Sequence, residues 1–103
     1  MKTSDLTGAA LDWAVCSVEG EQPGRYTQYS TDWSAAGPII ERGELDLLAP
    51  CPNSKFKRDK LWCALSKGGK HYGPTPLIAA MRCYVASKLG DEVEIPNELT
   101  EGA

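Results

Sequence analysis

Hydrophobic positions recur at helical spacing at both ends of the chain and alternate in between. Leu11, Ala14, Val15 and Val18 fall on one stripe, with Thr7 placed to cap the start of a helix and Gly20 to stop it. Trp13 lies off the centre of that stripe, so it either widens the buried face or looks into a cleft. Residues 20–30, GEQPGRYTQYS, carry Gly and Pro punctuation without an apolar period and read as a loop that delivers Tyr26 and Tyr29. Ser30 or Thr31 then caps a short helical segment, TDWSAA, and the Gly37-Pro38 pair terminates it. Beyond it, Ile39 and Ile40 open an extended stretch, Arg42-Gly43 suggests a turn, and Leu45 and Leu47 alternate with Glu44 and Asp46 as in a half-buried strand.

Pro50 and Pro52 close that strand, and a polar loop runs to residue 60. Leu61 to Leu65 form the next strand, Gly68-Gly69 a turn, and Tyr72 lies on a short return strand. The closing helix is written out most fully: Thr75 caps, Pro76 takes the first helical position, and Leu77, Ile78, Met81, Val85 and Leu89 make the stripe before Gly90. Val93 and Ile95 give one short extended piece in an otherwise polar tail. About three short antiparallel strands bury an apolar face only if helices pack on them, so the expected architecture is a single α+β domain over residues 1–103, with N-terminal, short middle and C-terminal helices on a small sheet.

Composition narrows the function classes. A chain of 103 residues has room for one domain, and its shortness invites homo-oligomerisation. The net charge of -3 argues against general nucleic-acid binding, which needs a basic face to displace counterions. The N-terminal run is too short and polar for a secretory signal, and no segment approaches the length of a membrane span, so the sequence predicts a cytoplasmic protein. The four cysteines, Cys16, Cys51, Cys63 and Cys83, form no CxxC pair, and the single histidine, His71, has no partner at ligand spacing. No metal site and no cofactor is expected; the cysteines read as small core residues.

Three segments carry a resemblance. LTGAALDWAV, YSTDWSAAGPIIER and GPTPLIAAMRCYVASKLGDEVEIPNEL look like the domain-of-unknown-function family that includes NinX of lambdoid phages. More loosely, the order of elements is similar to the phage alpha-beta-alpha sandwich domains. The stretch CPNSKFKRDKLWCALSKGGK departs from the family pattern. The resemblance implies phage or prophage origin and an accessory role, and it brings no catalytic residues with it.

Chemistry has to be sought in the residues themselves. His71 is the one side chain that ordinarily titrates near neutrality, and it lacks an accompanying nucleophile motif; a solvated loop histidine is the more common finding, and the chain does not read as an enzyme. Lys67-Gly68-Gly69-Lys70 lacks the upstream glycine and following hydroxyl of a phosphate loop. The richer constellation is Tyr26, Tyr29, Ser30, Thr31, Asp32 and Trp33, where aromatic faces adjoin hydroxyls, a carboxylate and the N–H groups of a helix start. It suits a nucleotide-like ligand, with Trp13, Tyr29 or Trp33 stacking, Thr31 and Asp32 hydrogen bonding and Arg82 or a lysine of the basic loop answering a phosphate. Set against this, a hydroxyl that merely caps a turn beside a core-filling tryptophan is commonplace. The expected function is sequestration of a small nucleotide-like molecule, such as a host defence signal. The alternative is a module docking on a host protein through Phe56 and the surrounding Lys55, Lys57, Arg58 and Lys60.

Overall fold

A computed structural model of the chain describes residues 2–20, 28–51, 53–66 and 69–95. Tyr26 and the Lys67-Gly68 pair lie outside them.

The first helix, α1 (Gly8–Glu19), runs between the expected signals. Thr7 takes the extended backbone of an N-cap, although its hydroxyl makes no capping bond, and Gly20 turns into the left-handed region at φ 75°, where a glycine carries no steric cost. Leu11, Ala14 and Val15 are fully buried, with Ala10 and Cys16 beside them. Trp13 and Val18 are half-buried against the same core, so Trp13 widens the buried face of α1.

The middle of the chain departs from expectation. Asp32, rather than Ser30 or Thr31, caps α2 (Trp33–Arg42), and the helix passes straight through Gly37-Pro38. Ile39 and Ile40 are therefore helical, not extended. Two physical reasons account for this. The clash that normally drives the residue before a proline out of helical geometry involves its Cβ, which Gly37 lacks. Helical spacing also puts Ala35, Ala36, Ile39 and Ile40 on one face, where Ala36 and Ile39 are buried and the other two half-buried against the core; an extended chain would send the two isoleucines to opposite sides. Burying an isoleucine is worth about 2 kcal/mol, so the shared face offsets the ~3 kcal/mol that an interior proline costs. Arg42-Gly43 does turn the chain, with the Gly43 N–H donating to the Ile39 carbonyl at 2.8 Å.

Three short strands, β1 (Asp46–Leu48), β2 (Trp62–Ser66) and β3 (Gly69–Gly73), pair antiparallel in the order β1-β2-β3. Leu47, Trp62 and Ala64 join the core on one side of this sheet. The closing helix α3 (Pro76–Leu89) lies on that side, capped by the Thr75 hydroxyl, which accepts from the Ile78 N–H at 3.2 Å. Its approach is close: a Cβ on Gly73 would sit 2.7 Å from the Ala79 nitrogen, so only glycine fits there.

Helices α1 and α2 pack on α3, which is thus enclosed between them and the sheet. Enclosure buries Ala79, Ala80, Cys83 and Tyr84 along with Leu77, Met81 and Val85, so the buried surface of α3 is far wider than the stripe its sequence suggests. Leu89, read as part of that stripe, is exposed.

Residues before α1 and after α3 close the structure. Thr3, fully buried, donates its N–H to the Asp91 carbonyl and its hydroxyl to the Gly90 carbonyl, both at 2.7 Å. Lys2 and Glu92 form an antiparallel bridge alongside.

Candidate functional site

The residues singled out from sequence fall into two groups. Thr31, Asp32 and Trp33 are exposed together at the start of α2. The Asp32 carboxylate accepts from the Ser34 hydroxyl at 2.6 Å and the Ser34 N–H at 2.9 Å, and these bonds hold its carboxyl below the usual range. Trp33 is 53% exposed beside it.

The other three are committed to packing. Tyr29 is buried in the core, and Trp13 packs against that core from α1. Arg82 is half-buried, donating Nε to the Leu6 carbonyl and Nη1 to the Tyr72 carbonyl, both at 2.7 Å. Its guanidinium thereby joins the N-terminal segment, β3 and α3 instead of facing the turn at 28–33.

That turn is secured from beneath. The Ser30 N–H donates to the buried Asp12 carboxylate at 2.8 Å, and burial raises the Asp12 pKa above the ordinary range although the bonds from Ser30 pull the other way.

A cleft lies at the opposite end of α2, about 15 Å along a ten-residue helix. There the chain reverses through Gly43 and Glu44 into β1 and faces the end of β2 and the last turns of α3, leaving a cleft of about 600 Å³. Glu44 holds the left-handed conformation at φ 51°, unusual for a residue with a Cβ, and it places a strained residue on the cleft wall. Leu45 and the Tyr84 ring supply apolar lining, Ser66 and Ser87 supply hydroxyls, and Arg42 and Lys88 supply positive charge beside the Glu44 carboxylate, while Asp46 and Leu65 border the cleft from the adjoining ends of β1 and β2.

One wall is braced by Glu19. Its carboxylate pairs with the Arg42 guanidinium at 2.6 Å through one oxygen and accepts the Tyr84 phenol at 2.6 Å through the other, tying together the ends of α1 and α2 and the middle of α3. Burial, reinforced by the bond to Glu19 and its negative charge, pushes the Tyr84 phenol up to about 12. On another wall, the Cys83 thiol donates to the Ser66 hydroxyl at 3.3 Å, and burial pushes that thiol's pKa up, away from reactive thiolate.

Sequence reasoning missed Arg42, Tyr84 and Lys88 because nothing local marks them. Glu19 meets Arg42 and Tyr84 at separations of 23 and 65 residues.

His71 sits apart from this cleft, beside a cavity of about 160 Å³ lined by Lys2, Thr3, Ser4, Asp91 and Glu92. Partial burial lowers its pKa, Asp91 opposing and Arg82 assisting. Among the described residues, no three His, Cys, Asp or Glu side chains are grouped to hold a metal, and no helix is long and apolar enough to cross a membrane. Phe56 is 61% exposed, with Lys55, Lys57 and Lys60 exposed around it.

No curated protein matches the chain. A protein-family model does, that of bacteriophage P22 NinX, and its match over residues 2–88 takes in the stretch between Pro50 and Lys70 that departs from the resembling segments. A match over so much of the sequence means that this chain belongs to the bacteriophage P22 NinX family.

Proposed function

We propose that this phage protein is a non-enzymatic accessory factor that sequesters a small nucleotide-like ligand in the bacterial cytoplasm, and that its seat is the cleft between α2, β1, β2 and α3. The observation that carries this reading is the presence of Arg42 and Lys88 on a cleft of about 600 Å³ that also offers hydroxyls, a carboxylate and an apolar wall. A volume of this order lies within the range of small-molecule sites. The chemistry matches the three parts of a nucleotide: phosphate oxygens accept from Arg42 and Lys88, ribose hydroxyls donate to Glu44, and a base lies on Leu45 and the Tyr84 ring. A host defence signal of this chemical type is a ligand whose removal would benefit a phage.

Thermal unfolding in the presence of cyclic, linear and ADP-ribose-type nucleotides tests the proposal. A ligand at ~100 times its dissociation constant adds about 2.7 kcal/mol, a rise of roughly ten degrees for a domain this size. Lys88→Ala should weaken the selected ligand at least ~10-fold, as loss of a charge-assisted contact does. An Asp32→Ala, Trp33→Ala double variant should bind as the wild type does; loss of binding there instead would return the site to the start of α2.

A second reading, docking on a host protein, draws on exposed Phe56 among lysines. A flat nucleotide panel, together with a host protein retained by the wild type and lost by a Phe56→Ala, Lys57→Ala variant, would favour it.

A further inference from the structure

The alternation that sends Leu47, Trp62 and Ala64 into the core sends their neighbours to the other side of the sheet. Through the antiparallel register, Leu48, Cys63 and Tyr72 form one row across the three strands on that outer side. Asp46, Leu65 and Lys70 form the next. Leu61 extends the same side two residues before Cys63. Leu48 and Leu61 are 50% and 39% exposed, large apolar side chains on a face that none of the three α-helices takes: α3 lies on the inner face, and α1 and α2 pack on α3.

The charges on this face have a particular order. Asp46 stands on the β1 flank and Lys70 on the β3 flank of a single row, with Leu65 midway between them. A two-fold axis running along β2 in the plane of contact exchanges the two flanks. Asp46 of one copy then stands over Lys70 of the other, twice, while Leu65 meets Leu65 and Leu48 meets Tyr72; Cys63, at the centre of the face, is already buried within each copy. The surface is thus complementary to itself in both charge and apolar character, as an isologous interface requires.

We propose that the outer face of the sheet is the interface of a two-fold homodimer, formed by face-to-face packing of the sheets of two copies. Aligned sheets pack about 10 Å apart, a gap that interdigitating leucine and tyrosine side chains fill and that a lysine and an aspartate span. The face is small. Three strands at about 4.8 Å spacing and about five residues long give on the order of 250 Å² per copy in projection, below the size of a standard specific interface, so the contact is weak and concentration-dependent. Leu48, Leu61, Cys63 and Tyr72 lie outside the cleft, which Asp46 and Leu65 border only from the ends of their strands, so the dimer is testable whatever the cleft binds.

Sedimentation velocity of the full chain from about 1 to about 200 μM, a range suited to a small interface, reads the outcome. The wild type should convert from monomer to dimer across that range, and Leu61→Asp, which changes an exposed position outside the cleft, should remain monomeric with an unchanged far-UV spectrum. Leu48→Glu serves the same purpose if Leu61→Asp folds poorly. Asp46→Lys alone and Lys70→Asp alone each place like charges face to face twice and should raise the dimer dissociation constant at least ~10-fold. Combining the two should bring it back to near the wild-type value. A wild type that stays monomeric throughout, or a charge-exchanged double variant no tighter than either single one, overturns the proposal.

Discussion

The buried Asp12 carboxylate on α1 accepts the backbone N–H of Ser30 at 2.8 Å, fastening the first helix to the turn that launches the second. Asp12→Ala leaves that N–H buried without its acceptor and should lower stability by about 1–3 kcal/mol, read by denaturant unfolding. Asp12→Asn keeps an acceptor oxygen and removes the charge, which separates the two effects. Because burial raises the folded-state pKa of Asp12, the folded protein holds this proton more tightly than the unfolded chain does. The contribution of Asp12 to stability therefore grows as pH falls through the raised value, levels off below the ordinary carboxylate range, and is lost again as pH rises. The asparagine variant should compare best with the wild type near neutral pH and lose ground as the solution is acidified.

The Tyr84 phenol titrates in the opposite region. With its pKa raised from 10 to about 12, the stability it contributes is complete below about pH 10, where the unfolded phenol is still protonated, and disappears as pH climbs through 12. Ultraviolet titration of the folded protein should find one tyrosine ionising near 12, and Tyr84→Phe should abolish that late step. The same variant gives up the bond to Glu19 and should unfold about 1.5 kcal/mol more easily at neutral pH.

Arg82 separates a packing role from a ligand role. Arg82→Met abandons two carbonyls, those of Leu6 and Tyr72, and should cost about 3 kcal/mol, since bonds from a charged donor are worth more than neutral ones. In whatever fraction remains folded, calorimetric affinity for a cleft ligand should be unchanged.

Pro38 is a removable burden. Pro38→Ala restores an N–H able to reach the Ser34 carbonyl and should stabilise the protein by about 1–3 kcal/mol, measured as a higher unfolding midpoint. Gly37→Ala should change sign with its neighbour: destabilising beside Pro38, where its new Cβ meets the proline ring, and stabilising by about 1 kcal/mol in the Pro38→Ala background, where a Cβ meets no other side chain within 4 Å.

The two long helices were legible because their limits are encoded by one or two adjacent residues. Gly20 ends α1, and Thr75 with Pro76 starts α3, whatever the rest of the molecule does. Helix α2 was misread at Gly37-Pro38 because its breakers are local, while the reason it continues is the burial of Ile39, which depends on α3 lying more than thirty positions away. The burial of Ala79, Ala80 and Cys83 was hidden for a similar reason: a helix enclosed on several sides needs small residues, and these leave no stripe to count. At the site the bias is clearer still. Tyr29 to Trp33 drew attention because the residues are contiguous, yet Tyr29 is core and Asp32 is a cap. The walls of the cleft come from the end of α2, the turn after it, two strands and α3, and no spacing rule joins residues contributed by so many elements.

The first and last helices pack on one another, and bonds from Arg82 to Leu6 and from Thr3 to Gly90 span 76 and 87 positions. During synthesis, Leu11 and Val15 therefore have no surface to cover them until α3 has left the ribosome. Hydrophobic collapse of the early segments cannot be native, and the fold completes in a single late step. A phage gene interrupted anywhere before α3 would yield a sticky, proteolysis-prone fragment in place of a smaller working domain.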